Sequence, residues 1–528
     1  MTITEPSRDA IADPPAAPAH PTLIVVTMCL AVMVILGGVA SLNVAIPTIG
    51  QELQASQSDL AWIIDAYAIS LAALLLPAGA LGDRFGRKRL MLIGFVGLIG
   101  SLVWASSTTD ITMLIASRFL GGAFSAMIFP GTLSTITNVI PSERRSQAVA
   151  AWTVSAAVGG TLGALGAGAL IESFWFGSIF AGTAVLCVVI AVMTVLFVPE
   201  TFDPDDSNLD PLGSLLSVIG IGALTFGIIE GPVKGWTSTE TLAGFAAGVI
   251  FLAAFVGWEL RTQRPVLDVR LFRLRGFSTG SVSIFLQFFA AFGFFFVGAQ
   301  FLAFVFGYSP LSIGLAFLPV GLSIPLGAAI ATRLSTTVSR GVVGGVGLLV
   351  LAAGAAGFTF LSSGSEYWMF AAALFVFGAG MGLAGPPATE AIVEALPAER
   401  QGVASAINDV ARELGGALGI ALIGSMLTAG YRRGIDDAAA GLPVGLDDVI
   451  RDAPAVGLGA AAQAGSDGVG IVDVVQSAVT DGFGLAMWVA AGAAIAGAVY
   501  VALRTPPPGA EASALDASST TATRRAGT

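Results

Sequence analysis

GALGDRFGRKRL, residues 79–90, places three glycines, one acid and four bases in twelve positions between two long apolar runs. Gly79, Gly82 and Gly86 permit tight turning and close backbone approach. Asp83 can pair with a basic neighbour or with the end of another helix. Arg84, Arg87 and Lys88 supply the positive charge that collects on the cytoplasmic side of membrane proteins. Charge alone needs no fixed spacing, yet this stretch runs Gly-x-x-x-Asp-Arg-x-Gly-Arg-Lys.

The flanks define the solvent. Of 528 residues, 55% are hydrophobic and 11% charged, with a mean hydropathy of +0.85, against roughly 25% charged in soluble domains. Apolar runs of about twenty residues recur, each able to cross a hydrocarbon core about 30 Å thick. Lipid offers no partner for free backbone groups, so spans are helices or a closed barrel. The runs lack the apolar–polar alternation of a barrel. The expectation is an all-α polytopic membrane protein.

Fourteen spans are expected, near 22–46, 59–81, 90–108, 111–139, 147–171, 175–198, 212–230, 241–259, 277–306, 311–333, 341–361, 366–394, 402–428 and 481–503. With the N-terminus inside, 18 of the 24 Lys and Arg fall in inner segments, so both termini are expected in the cytoplasm. The spans divide as six, two and six. Residues 1–21 read as a disordered tail, 22–198 as one six-helix bundle, and 199–276 as two linker helices with their loops. Residues 277–503 read as a second six-helix bundle including a long outer loop, 429–480, and 504–528 as a disordered tail. IPLGAAIATRLSTTVSRG (324–341) echoes LPAGALGDRFGRKRL (76–90), each running Pro-x-Gly, small residues and a basic turn. Such parallel repeats build many secondary transporters.

The 79–90 stretch resembles the signature loop of the major facilitator superfamily, and six plus two plus six helices resemble its fourteen-span drug:proton antiporters. RFLGGAFSAMIFPGTL (118–133), GYSPLSIG (307–314) and ELGGALGIALIGS (413–425) resemble stretches common in that family. The resemblance implies an inner gate at Gly79, Gly82, Asp83, Arg84, Gly86, Arg87 and Lys88, with Asp83 and Arg87 in its charge pairs. The chain also departs from the family: Gly38 stands where a first-helix acid is common, and GALGAG (163–168) has Ala164 for a proline and Ala167 for a glycine.

Within WIIDAYAIS (62–70), Asp65 stands in an apolar span. An acid at mid-membrane costs roughly 2.5–3.5 kcal/mol on insertion scales, which marks it for a partner or a wet cavity. Arg118 lies at a similar depth on the fourth span, and Asn43 near the outer end of the first. One reading makes Asp65 the proton carrier and Arg118 its tuner; the other makes them a permanent ion pair. Trp62, Asp65 and Tyr67 also resemble a Trp-x-x-Asp-x-Tyr pattern of the family's second helix.

A second charged cluster comprises Glu390, Glu394, Asp409, Arg412 and Glu413, read as four acids around one arginine. It is either a proton relay or an inner-rim structural network. FLQFFAAFGFFFVGAQFLAFVF (285–306) holds ten phenylalanines, an apolar wall for flat molecules or a lipid-facing surface. Phe288, Phe292, Gln287 and Gln300, with Trp62, Tyr67, Asn43, Met127 and Phe129, are the candidate cavity residues.

No Gly-x-x-x-x-Gly-Lys loop, metal-ligand cluster or soluble catalytic domain is legible, so no enzyme, cofactor, metal or nucleic-acid partner is expected. The reading is a monomeric, proton-coupled exporter of lipophilic or amphipathic small molecules in the cytoplasmic membrane, its partners being substrate, protons and lipid. A dedicated exporter or flippase of one endogenous lipid or metabolite, and an uncoupled scaffold or sensor, are the rivals.

Overall fold

The computed structural model describes residues 20–201, 210–262, 265, 267–396, 401–438, 450–451, 453–463 and 468–505. Among these, the first helices are α1 Pro21–Leu53, α2 Gln57–Phe85, α3 Arg87–Ser107, α4 Ile111–Val139, α5 Ser142–Ser173 and α6 Ser178–Phe197. A hairpin of α7 Pro211–Lys234 and α8 Thr239–Glu259 follows. The remainder are α9 Arg275–Phe304, α10 Pro310–Ala316, α11 Leu318–Leu334, α12 Arg340–Phe358, α13 Tyr367–Glu394, α14 Gln401–Ala438, α15 Pro454–Gln463 and α16 Gly468–Arg504. Thirteen spans among the described residues are long and apolar enough to cross a membrane, with α10 and α11 forming one of them. Helix α5, 32 residues long, is not among the thirteen.

The pairings of the first six helices recur in the last set. Helix α1 packs on α5 and α6, α2 on α4, and α3 on α4 and α6. Correspondingly, α9 packs on α14 and α16, α11 on α13, and α12 on α13 and α16. The halves meet through α1 with α9, α2 with α14, and α5 with α10. Helix α7 lies against both α2 and α14, while α8 packs on α7. Most of the α2 span is buried and little of α8, so α2 is central and α8 peripheral.

Helix crossings are set by small residues, as expected where apolar surface gains little by leaving lipid. A Cβ on Gly163 would lie 2.2 Å from the Gly37 carbonyl oxygen, and Ser41 Oγ donates to the Gly163 carbonyl at 2.9 Å. The neighbouring Gly38 faces open space. At the outward rim of the bundle, large apolar side chains such as Val96, Val185, Leu186, Val249 and Leu322 are exposed, which is the surface lipid covers.

Three local expectations are corrected. The 429–480 segment is helical over much of its length: α14 continues to Ala438 and α16 begins at Gly468, with α15 between them. Gly430 sits against Gly482 and Gly434 against Ala478, so α14 and α16 stay in contact while Tyr431 and Ile435 are buried. The tenth expected span is interrupted at Phe317, just before Pro319, where a proline at the start of a helix loses no intrahelical bond. Five of the ten phenylalanines in 285–306, Phe289, Phe294, Phe296, Phe301 and Phe304, are buried in helix packing and do not face lipid. Phe294 stacks on Phe358 at 4.6 Å and Phe301 on Phe483 at 4.5 Å, inside a cluster that also holds Phe370 and Phe377.

Candidate functional site

The 79–90 stretch folds as a corner of one residue. Helix α2 starts in a capping box, with Ser56 accepting from the Asp59 amide and Asp59 accepting from the Ser56 amide. It ends at Gly86, whose φ of +111° is a conformation open mainly to glycine. Helix α3 begins at the next residue. Its first amides are claimed by the segment after α6: Arg87 N–H donates to the Thr201 carbonyl at 2.9 Å, and Lys88 N–H to Glu200 Oε1 at 3.0 Å. A carboxylate at a helix N-terminus is favoured by the dipole and the free amides. Lys88 Nζ donates to the Val195 carbonyl, and Arg89 Nε lies 3.6 Å from Glu200 Oε2. Arg84 is exposed at the end of α2 and Arg87 is buried. Gly79 packs near Pro130 of α4 and Gly82 against Leu90 and Arg87. Asp83 lies in the last turn of α2, and its side chain is outside the described residues.

Arg118 and Asp65 do not meet. Both are buried, but Arg118 Nε donates to the Ile63 carbonyl at 3.2 Å and its guanidinium lies over the Tyr67 ring at 4.3 Å. Tyr67 in turn donates to Ser125 Oγ of α4 at 2.9 Å. Ile63 and Tyr67 are one turn apart on the face of α2 that meets α4. Asp65, two residues from each, is turned about 200° away. Its face carries Trp62, Ala68 and Ile69, which cluster with Ile221 of α7 and Ala417 of α14. Trp62 also meets Phe226 of α7 at 6.4 Å. Asp65 is fully buried there, and neither carboxylate oxygen has a hydrogen-bond partner.

The five-residue charged cluster resolves into two. Arg340, at the start of α12, pairs with Glu390 at 2.9 Å and with Glu394, all three partly exposed. Arg412 pairs with Asp409 at 2.6 Å and Glu413 at 3.7 Å in a mostly buried position. Each arginine thus holds two acids. The i,i+4 spacing put Glu390 and Glu394 on one face of α13, but the cation opposite that face is on α12.

Arg412 also gathers aromatic rings from both halves. Its guanidinium lies 5.7 Å from the Phe129 ring of α4 and 5.6 Å from the Phe288 ring of α9. Phe288 meets Phe292 edge to face at 5.7 Å, and Phe292 abuts Gly416. Phe129 meets Trp152 of α5 at 6.0 Å. A guanidinium between two carboxyl groups, set among aromatic faces, offers apolar area and charge at one place.

The other candidate cavity residues lie elsewhere. Met127 packs its Cβ toward Gly94 of α3, a helix-packing position. Gln287 donates to the Ser283 carbonyl and Oγ on its own helix, both at 3.1 Å. Gln300 accepts from Gln57 Nε2 of α2 at 2.7 Å, joining the halves near the α1–α2 end. Asn43 donates to the Val39 carbonyl and leaves Oδ1 without a partner. Sequence reasoning missed Gln57, Glu200 and the pairing role of Arg340. For Glu200 the available signal was an acid directly after a span facing a basic corner.

Comparison with known proteins agrees with this architecture. Residues 28–420 match the Major Facilitator Superfamily. The chain is 31% identical over 467 residues to the multidrug efflux pump LfrA of Mycolicibacterium smegmatis, covering 86% of this chain and 92% of that protein. It is 34% identical over 416 residues to the methyl viologen resistance protein SmvA of Salmonella typhimurium, covering 77% and 81%. A tetracenomycin C resistance and export protein of Streptomyces glaucescens is 29% identical, covering 92% of each. In fold, the chain resembles a bacterial homologue of the lysosomal transporter Spinster in an inward-facing, unoccupied conformation. That likeness has a TM-score of 0.66 and 16% identity over 93% and 99% of the chains. With this repeat of helix pairings, this corner at Gly86 and these relatives, the chain belongs to the Major Facilitator Superfamily: it is a multi-pass membrane transporter and not an enzyme.

Proposed function

We propose that the protein exports lipophilic or amphipathic small molecules across the cytoplasmic membrane in exchange for protons, with Asp65 carrying the proton. The observation that carries this reading is a fully buried carboxyl group on the central helix α2, with no donor or counter-charge on either oxygen, at the seam where the two halves and the inserted hairpin meet. Intramembrane acids held this way mark ion paths. The relatives named for multidrug efflux, methyl viologen resistance and tetracenomycin C export support the substrate class and the direction.

In this reading the end carrying the α2–α3 corner faces the cytoplasm, as its excess of basic residues requires. Substrate rests near Arg412, Phe129 and Phe288, where both halves contribute rings. The halves rock about that place, and loss or gain of the Asp65 proton changes how well α2 fits α14 and α7. The protein works as a monomer.

Efflux of a fluorescent dye in energised inverted vesicles tests the proposal, comparing native protein with Asp65→Asn at matched expression. The expected result is dye movement that depends on the proton gradient in the native protein and is lost in the variant. Normal transport by Asp65→Asn overturns the assignment and moves the search to Asp409 and Glu413.

A further inference from the structure

The inserted hairpin presents a second orphaned polar group to the seam that holds Asp65. Thr225 of α7 is fully buried, and its hydroxyl has no hydrogen-bond partner. Its direction follows from its neighbours. Gly220 and Gly227 of α7 lie against Leu252 and Phe245 of α8, and both are far around the helix from Thr225. Ile221, one turn before Thr225, clusters with Ala68 and Ile69 of α2. Ile228, one turn after it, accepts from Ser425 Oγ of α14 at 2.7 Å. Thr225 therefore sits on the α7 face turned to α2 and α14.

The levels agree as well. Helices α2 and α7 run in opposite directions, and Trp62 meets Phe226, while Ile69 shares a cluster with Ile221. With Ile69 and Ile221 taken as level within that cluster, Asp65 and Thr225 are each four residues away toward the same end. From the first contact their levels differ by about 3 Å at 1.5 Å per residue. Two buried polar groups without partners thus face one seam from adjacent helices at nearly one height.

We infer that Thr225 is a positioning residue for Asp65: its hydroxyl donates a hydrogen bond to the ionised carboxylate, by rotation of the side chain or through one bridging water. The inserted hairpin is then part of the proton site and not only a spacer between the halves. Other charged groups are placed differently. Arg118 of α4 lies on the opposite face of α2. Glu413 of α14, four residues before Ala417, stands about two turns further along the seam and pairs with Arg412, which also holds Asp409. Helix α7 has no charged residue between Asp210 and Glu230, α1 none before Glu52, and α3 only Arg87, Lys88 and Arg89 at its start. On α2 itself Asp59 and Asp83 lie toward the two ends.

This inference rests on Asp65 carrying the proton. The test measures dye–proton exchange by the full chain in vesicles, with ethidium as the probe, over a pH series. Thr225→Val removes the hydroxyl at nearly constant shape, and Thr225→Ser keeps it. A hydroxyl donated to a carboxylate favours the ionised form, so Thr225→Val is expected to move the pH midpoint of exchange upward by about half a unit to one unit. Thr225→Ser should follow the native profile. A Thr225→Val profile that superimposes on the native one overturns the inference, as do equal changes in both variants, which point to packing of the methyl group. Asp65→Asn separates the two claims. If it abolishes exchange while Thr225→Val is unchanged, only the Thr225 role fails; if it exchanges normally, the proton role of Asp65 fails and this inference with it.

Discussion

Gln57 Nε2 of α2 donates a 2.7 Å hydrogen bond to Gln300 Oε1 of α9, and both side chains are buried. The bond links the two halves at the end where α1 turns into α2. In the proposed alternating-access cycle this bond has to break. Gln57→Leu leaves the Gln300 carbonyl oxygen without its donor, which costs this closed arrangement about 1–3 kcal/mol. Joining Gln57→Cys to Gln300→Cys with a short bis-maleimide should stop transport, while each single variant treated alike keeps it. Continued efflux by the bridged protein shows that this end does not open.

Two glycines of the packed pair α1 and α5, Gly38 on α1 and Gly163 on α5, should behave oppositely. Gly163→Ala drives a methyl group into the Gly37 backbone, whereas Gly38→Ala meets no atom within 4 Å. Overpacking of this kind costs about 1–3 kcal/mol. Thermal melting of purified protein in detergent should show a clear drop for Gly163→Ala and no drop for Gly38→Ala.

The two arginine clusters predict different sensitivities. Glu394→Gln at the partly exposed Arg340 site should change stability by no more than about 1 kcal/mol. Arg412→Gln leaves Asp409 and Glu413 buried without their cation, a loss of about 3–5 kcal/mol where such pairs are broken. Adding Asp409→Asn to Arg412→Gln should recover part of the loss. A denaturation series over the native protein and these three variants decides it, and equal effects at the two sites contradict the division.

Gly86→Ala should fail for two reasons at once: the φ of +111° excludes most side chains, and the new methyl group would sit 2.6 Å from Glu200 Oε1. Backbone strain of this type costs about 1–3 kcal/mol. In a Glu200→Ala background, which lacks the second penalty and also the carboxylate on the Lys88 amide, Gly86→Ala should lower the melting temperature by less than it does in the native protein.

The spans were legible because lipid allows few solutions, and the Gly86 corner because its spacing is specific. Depth along a helix can be counted from the sequence, and Arg118 contacts Ile63 and Tyr67, which flank Asp65 along α2. Azimuth between helices cannot be counted. It is fixed by which neighbour has room, here Gly122 of α4, where any Cβ would strike Tyr67 and Ser70. The same limit explains Glu390 and Glu394: their shared face was readable, but not the Arg340 opposite. The phenylalanines of α9 were counted correctly, yet their packing depends on Phe358, Phe370, Phe377 and Phe483 from three other helices.

A corner of one residue gives the chain no slack. Any tilt of α2 has to carry the start of α3, and α3 holds Thr201 and Glu200 through its first amides. Thr201 is followed, nine residues on, by Asp210 at the cap of α7. In the proposed cycle, a tilt of α2 would therefore move the start of α3 and the chain end after α6 together, as one piece.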